Sequence, residues 1–185
     1  VQPHAAIITI IAAAHLGFFK NLDEIADAKA EIFEGIVPGG TAILNRDDQR
    51  YRLLEHAAKK AGVANILGFG ENARAKFRLV KCELHAENSS VIVRIGGKDM
   101  FVKVGAPGRH IVQNALAVLG AAQIVGANLE KTSAAMATLT AEKGRGQRHV
   151  LGIGSGAFTL IDESYNANPA SMRAALALLR KNAPA

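Results

Sequence analysis

Along this chain the apolar positions change their period twice, and each change marks a different architecture. Ala6 to Ile11 form an apolar run with Thr9 as its one polar member, as in a strand buried on both faces. Helical spacing takes over from Leu22 to about Phe33, behind Asn21 and Glu24, which stand three residues apart as a capping pair does. "PGG" at Pro38 to Gly40 closes that unit. "TAILN" then reads as a second strand, Asp47 or Asp48 as the cap of a helix running to about Lys60, and "NILGFG" as a third strand. Strand and helix alternating at this spacing predict a parallel sheet with right-handed crossovers.

From about Ala75 to Val104 the period becomes two. Val91, Val93 and Ile95 alternate with polar positions, and "GGKD" at Gly96 to Asp99 is a turn signal, so an antiparallel appendage is expected. Helical periodicity returns at about Ile111 to Val125 and Leu129 to Leu139. "EKGRGQRH" has no apolar period and reads as a loop or linker. "HVLGIG" and "FTLIDES" look like two strands facing each other across "SGA", and Pro169 opens a last helix at its favoured first position. The fold class expected is α/β: a mostly parallel sheet with flanking helices and an antiparallel appendage.

Composition narrows the function classes. The 185 residues are 49% hydrophobic, ample for a packed core. No apolar run reaches the roughly 18 residues of a membrane helix, and the N-terminus lacks the marks of a signal peptide. A single Cys82 excludes an internal disulfide and a cysteine-rich metal site. A cytoplasmic location without membrane insertion is expected. The net charge of +6 is spread out and aromatics are 5%, which argues against a nucleic-acid surface.

Five positions carry chemistry, each with a plainer reading beside it. Lys29 falls on the stripe of Leu22, Ile25, Ala26, Ile32 and Phe33. Partly desolvated there, it could be a neutral amine able to form a carbamate, or a lysine that snorkels to water. His15 follows the first strand at the end where open parallel sheets place ligands; it could bind a divalent ion or be solvated. Asn114 in "GRHIVQNALAVLGAA" has both the donor and the acceptor needed for a purine edge, or is a solvated residue near a helix start. Arg145 and Arg148 in "GRGQRH" could fold over phosphates or belong to a solvated linker. No GxxxxGK[ST] phosphate loop occurs in the chain.

Taken in order, "AAAHLGFFKNLDEIADAKAEIFEG", "TAILNRDD", "GRHIVQNALAVLGAA", "GRGQRH" and "IDESYNANPASMRAAL" resemble the Mur ligases, over nearly the whole chain. Within that family the resemblance is to the branch that joins D-alanyl-D-alanine to UDP-N-acetylmuramoyl-tripeptide. It implies an ATP-dependent ligase of peptidoglycan synthesis that works through an acyl phosphate, with ATP and Mg2+ as cofactors. It also implies two regions: residues 1–148 as the later part of a central ATP-binding domain, and 149–185 as the start of a Rossmann-like C-terminal domain. Such a piece is expected to be inactive alone and monomeric when full length.

The resemblance implies metal roles for His15 and carbamylated Lys29, an adenine contact for Asn114, a phosphate contact for Arg148 and a ribose contact for Glu163. Asn166 and Asn168 would face the substrate cleft. Three departures bear on these roles: Ile111 stands where the family often has Asn, Glu163 where it often has Asp, and "ITII" lacks an Asn common in the first strand. A sister Mur or folylpolyglutamate-type ligase, and a non-catalytic nucleotide-binding module, are the competing readings.

Overall fold

A computed structural model describes residues 1–13, 18–165 and 169–182. Six strands form one sheet in sequence order: β1 (Ala5–Ile8), β2 (Thr41–Asn45), β3 (Asn65–Gly70), β4 (Phe77–Leu84), β5 (Ser89–Ile95) and β6 (Lys98–Val104). The first four pair in parallel, the last three antiparallel. β3 and β4 need only a short loop because they overlap by just two residue pairs, Phe69 with Phe77 and Gly70 with Arg78. The antiparallel part is thus a continuation of the parallel sheet through β4. Its β5–β6 turn is the expected one: Gly96 and Gly97 both have positive φ, 60° and 81°, as a two-residue hairpin turn requires.

Side chains of β2 alternate between two cores. Ala42 and Leu44 face α1 (Leu22–Ala30) and α2 (Tyr51–Lys60), packing with Ile25, Ala26 and Leu54. Ile43 faces the opposite side, with Phe69, Phe77 and the buried stripe Val112, Leu116 and Leu119 of α3 (Arg109–Ile124); α4 (Leu129–Met136) adds Met136. All five residues of β2 are buried, as a central parallel strand requires. On β5, Val91, Val93 and Ile95 are buried in the predicted alternation.

Several boundaries differ from the expected ones for local reasons. The first strand ends at Ile8, although Ile11 stays buried and its N–H donates to Asp48 Oδ2 at 2.7 Å. Asn21 does cap α1, accepting from the N–H groups of Asp23 and Glu24, while Glu24 reaches back to the N–H of Lys20. α1 stops at Ala30, and a 3-10 turn carries Glu31–Gly35. Neither Asp47 nor Asp48 is the cap of α2, which begins at Tyr51. Asp48 instead closes the turn before it, accepting from Arg50 N–H at 2.8 Å. The expected loop "EKGRGQRH" is partly strand: β7 (Gln147–Ile153) pairs antiparallel with β8 (Gly156–Asp162), and Arg148 opposes Ile161. This hairpin is a separate two-stranded sheet, followed by α5 (Pro169–Asn182), which starts at Pro169 as predicted. Among the described residues no helix is long and apolar enough to cross a membrane.

Candidate functional site

The strand ends after β1, β2 and β3, the first turns of α3, the end of β8 and the start of α5 converge on adjoining clefts. The largest apolar one, about 430 Å³, has Ala106, Ile111, Ala115 and Met136 on its wall and His110, Asn114 and Glu163 among its polar groups. A second, about 290 Å³, shares those three polar residues and adds Thr9, Asn45 and Ser171. An apolar slot with a few convergent polar groups at strand C-termini is where α/β sheets take ligands.

α3 sets this geometry. Its inward stripe is buried against the sheet, which leaves His110 and Asn114, four residues apart, on one outward face. His110 opens to the cleft, and the surrounding protein desolvates it enough to lower its pKa from the usual 6.5. Across the cleft, burial raises the pKa of Glu163, and the neighbouring Asp162 charge adds to the effect. Asp162 is the tether of this corner. Its carboxylate accepts from Ser164 N–H at 3.0 Å and from Gly144 N–H at 3.1 Å; the Ser164 side chain first, and then these backbone bonds, hold its own pKa down. Arg145 lies with its guanidinium carbon 4.3 Å from the centre of the Tyr165 ring, on the rim of the same cleft.

The expected site residues divide into three groups. Asn114 and Glu163 are brought together, although α3 and β8 are far apart in sequence. Arg148 is half-buried in β7, with Nη2 buried and without a hydrogen-bond partner. Such an orphaned guanidinium donor suits a bound oxyanion, because leaving it unpaired costs free energy. Lys29 lies apart in α1 and is exposed, so the desolvation expected from its stripe is absent. The reason is the narrowness of the packed face: Ile25, Ala26 and Ala30 fill it, and Lys29 extends from its edge. His15, Asn166 and Asn168 lie outside the described residues, among which no cluster of three metal-ligating side chains occurs.

The fold adds residues to which sequence reading gave no site role: His110, Asn45, Asp47, Glu71, Arg109 and Gln113. His110 could have been found from its helical spacing to Asn114; the others meet only through the sheet. Asp47 is the hub. Its carboxylate accepts from the N–H groups of Glu71 (2.7 Å) and Asn72 (2.9 Å) and from Gln113 Nε2 (3.3 Å). Gly70, at φ 131°, permits that approach, since a Cβ there would collide with the carboxylate. Glu71 in turn pairs with Arg109 through two contacts at the start of α3.

Residues 1–122, two thirds of the chain, match the family model described as the Mur ligase middle domain. The chain belongs to the Mur ligase family. It is 32% identical over 98% of its length to a UDP-N-acetylmuramoyl-tripeptide–D-alanyl-D-alanine ligase of Rickettsia prowazekii, of which it covers 39%. It is 31% identical over 96% of its length to a UDP-N-acetylmuramate–L-alanine ligase of Streptomyces coelicolor, of which it covers 37%. Among solved structures it is similar to crystal structure I of MurF from Acinetobacter baumannii, with a TM-score of 0.85, 34% identity, and coverage of 97% of this chain and 38% of that one. This Mur ligase chain thus spans under two fifths of the length of the relatives it matches. Its α/β fold, with the mostly parallel sheet continued by antiparallel strands, is the family's middle-domain architecture.

Proposed function

We propose that this chain is part of an ATP-dependent ligase joining D-alanyl-D-alanine to UDP-N-acetylmuramoyl-tripeptide. Residues 1–148 would be the later part of its ATP-binding domain and 149–185 the opening of the next. The observation that carries the reading is the cleft on which Asn114 and Glu163 meet. Its apolar slot fits a purine base, Asn114 offers the donor and acceptor of an amide to the base edge, and Glu163 offers an acceptor to a sugar hydroxyl. Arg148, with its unpaired donor, would take a phosphate oxygen of the same nucleotide.

A carboxylate is a poor electrophile. In the proposed reaction it is phosphorylated to an acyl phosphate, and the amine of the dipeptide then attacks with loss of phosphate. Arg148 would offset charge on the transferring phosphoryl group, and Asn166 and Asn168 would face the substrates. Magnesium would neutralise the phosphate charge when bound, with His15 and a carbamylated Lys29 as its assigned holders. Carbamylation suits that assignment because it replaces a cation with oxygen donors.

Phosphate release by the full-length protein tests this, with ATP, magnesium, the UDP-sugar tripeptide and D-alanyl-D-alanine present and each omitted in turn. Release that needs both the sugar peptide and the dipeptide is expected. Release that responds instead to UDP-N-acetylmuramate and L-alanine would favour a sister ligase, the reading supported by the Streptomyces similarity. No release with any acceptor would favour a non-catalytic nucleotide-binding module.

A further inference from the structure

The nucleotide cleft is one end of a longer trough. Ile10, Asn45 and Gln113 line both the second cleft described above and a neighbouring one of about 470 Å³, and Asp48 connects the latter to a fourth, about 230 Å³. The row follows the C-terminal ends of the parallel strands. It begins among Asn114 and Glu163 and ends among Arg46, Arg52 and Arg74.

We propose that Arg46, Arg52 and Arg74 form an oxyanion-binding subsite at this far end of the trough. It takes a carboxylate or phosphate of the molecule whose other end lies beside the nucleotide. The assignment of that molecule as the ligase acceptor rests on the proposed function; the subsite itself does not.

Arg46 is built into place. It leaves the end of β2 and crosses β3 at Gly68, where a Cβ would stand 3.2 Å from its Cδ. Its Nη1 donates to Tyr51 Oη at 2.7 Å, and its guanidinium carbon lies 4.6 Å from the Tyr51 ring centre. Tyr51 Oη donates in turn to Glu55 at 2.9 Å, and burial followed by that bond raises the phenol pKa, so the hydroxyl stays neutral beside the cation. Arg74 is presented by Asn72, whose Oδ1 accepts the Arg74 N–H at 3.0 Å, in a loop that Asp47 fixes by two backbone bonds. Among the described residues, Arg46 and Arg74 enter no ion pair. Arg52 shares Glu55 with Lys59, and the one carboxylate on the cleft wall, Asp48, is already bonded to two backbone N–H groups. Two guanidinium groups without counter-ions at one wall, Arg46 held against Tyr51 and Arg74 carried by a loop whose backbone is fixed, are a donor set that forks onto a carboxylate or phosphate.

The test is calorimetric titration of the full-length protein, its nucleotide site filled with a non-hydrolysable ATP analogue, using inorganic phosphate in one arm and glutarate in the other. At least one anion should bind saturably, with affinity lowered about tenfold or more in Arg46→Gln/Arg74→Gln, as expected for losing charge-assisted bonds. Lys98→Gln, at the β5–β6 turn, should bind as the unaltered protein does. Tighter glutarate would name a peptide carboxylate as the natural group, tighter phosphate a nucleotide phosphate. Should the double variant fail to fold, Arg74→Gln alone, in an exposed loop, is the test. No saturable binding of either anion, or equal binding in the variants, overturns the subsite. Because no turnover is needed, anion binding by a protein that releases no phosphate from ATP would remove the ligase reading and leave the subsite standing.

Discussion

Arg148 states the conflict between fold and function at the scale of one residue. A buried guanidinium nitrogen without a partner weakens the protein that carries it. Replacing it with Met should therefore leave the unliganded full-length protein as stable or stabilise it by about 1 kcal/mol, while ATP turnover is lost; thermal melts and phosphate release read the two effects. A fall in Tm would mean that the guanidinium supports the fold instead. His110 gives a pH prediction. Its folded pKa lies below the usual 6.5, so the unfolded chain takes up the proton more readily. Its contribution to stability is complete above about pH 6.5 and declines as pH falls toward the lowered value. The His110 resonance should titrate below 6.5 in the folded protein, and His110→Gln should flatten the stability profile in that window. Lys29 is the position where helical periodicity misled: spacing identifies a stripe but not the width that neighbours cover, and the exposed lysine lies just beyond it.

Elements obey the sequence more faithfully than single residues do. The Asn21 cap is an instance, and Asn21→Ala should cost about 1 kcal/mol, measured by denaturant unfolding. A cost near zero would show that α1 is held by packing alone. α3 is more sensitive in its middle, where a Cβ on Gly120 would run into the Phe77 ring of β4. Gly120→Ala should destabilise by about 1–3 kcal/mol despite the better helix propensity of alanine. The strands, the β5–β6 turn and Pro169 at the head of α5 were all legible, because each depends on neighbours within a few positions. The start of β7 was not, since "EKGRGQRH" carries no period of its own and becomes strand only by pairing with β8.

At the scale of the molecule, Asp47 joins three parts: the β2–α2 turn, the β3–β4 loop and, through Gln113, the cleft-lining helix α3. Asp47→Ala leaves two backbone N–H groups without their acceptor and should raise hydrogen exchange at Glu71 and Asn72 and weaken nucleotide binding together. Faster exchange with unchanged nucleotide affinity would show that the hub does not reach the cleft. The sequence alone determined the α/β class, the succession of parallel and antiparallel pairing, the Asn21 cap and the family, since these are written in local period and in motif order. Tertiary structure alone decided that Asn114 and Glu163 share a cleft, that Lys29 stays in water, that Asp47 is a hub, and that Arg46 and Arg74 face one wall. Those relations depend on which strand ends lie side by side and which faces are covered, quantities fixed by packing across the sheet and invisible to spacing along the chain.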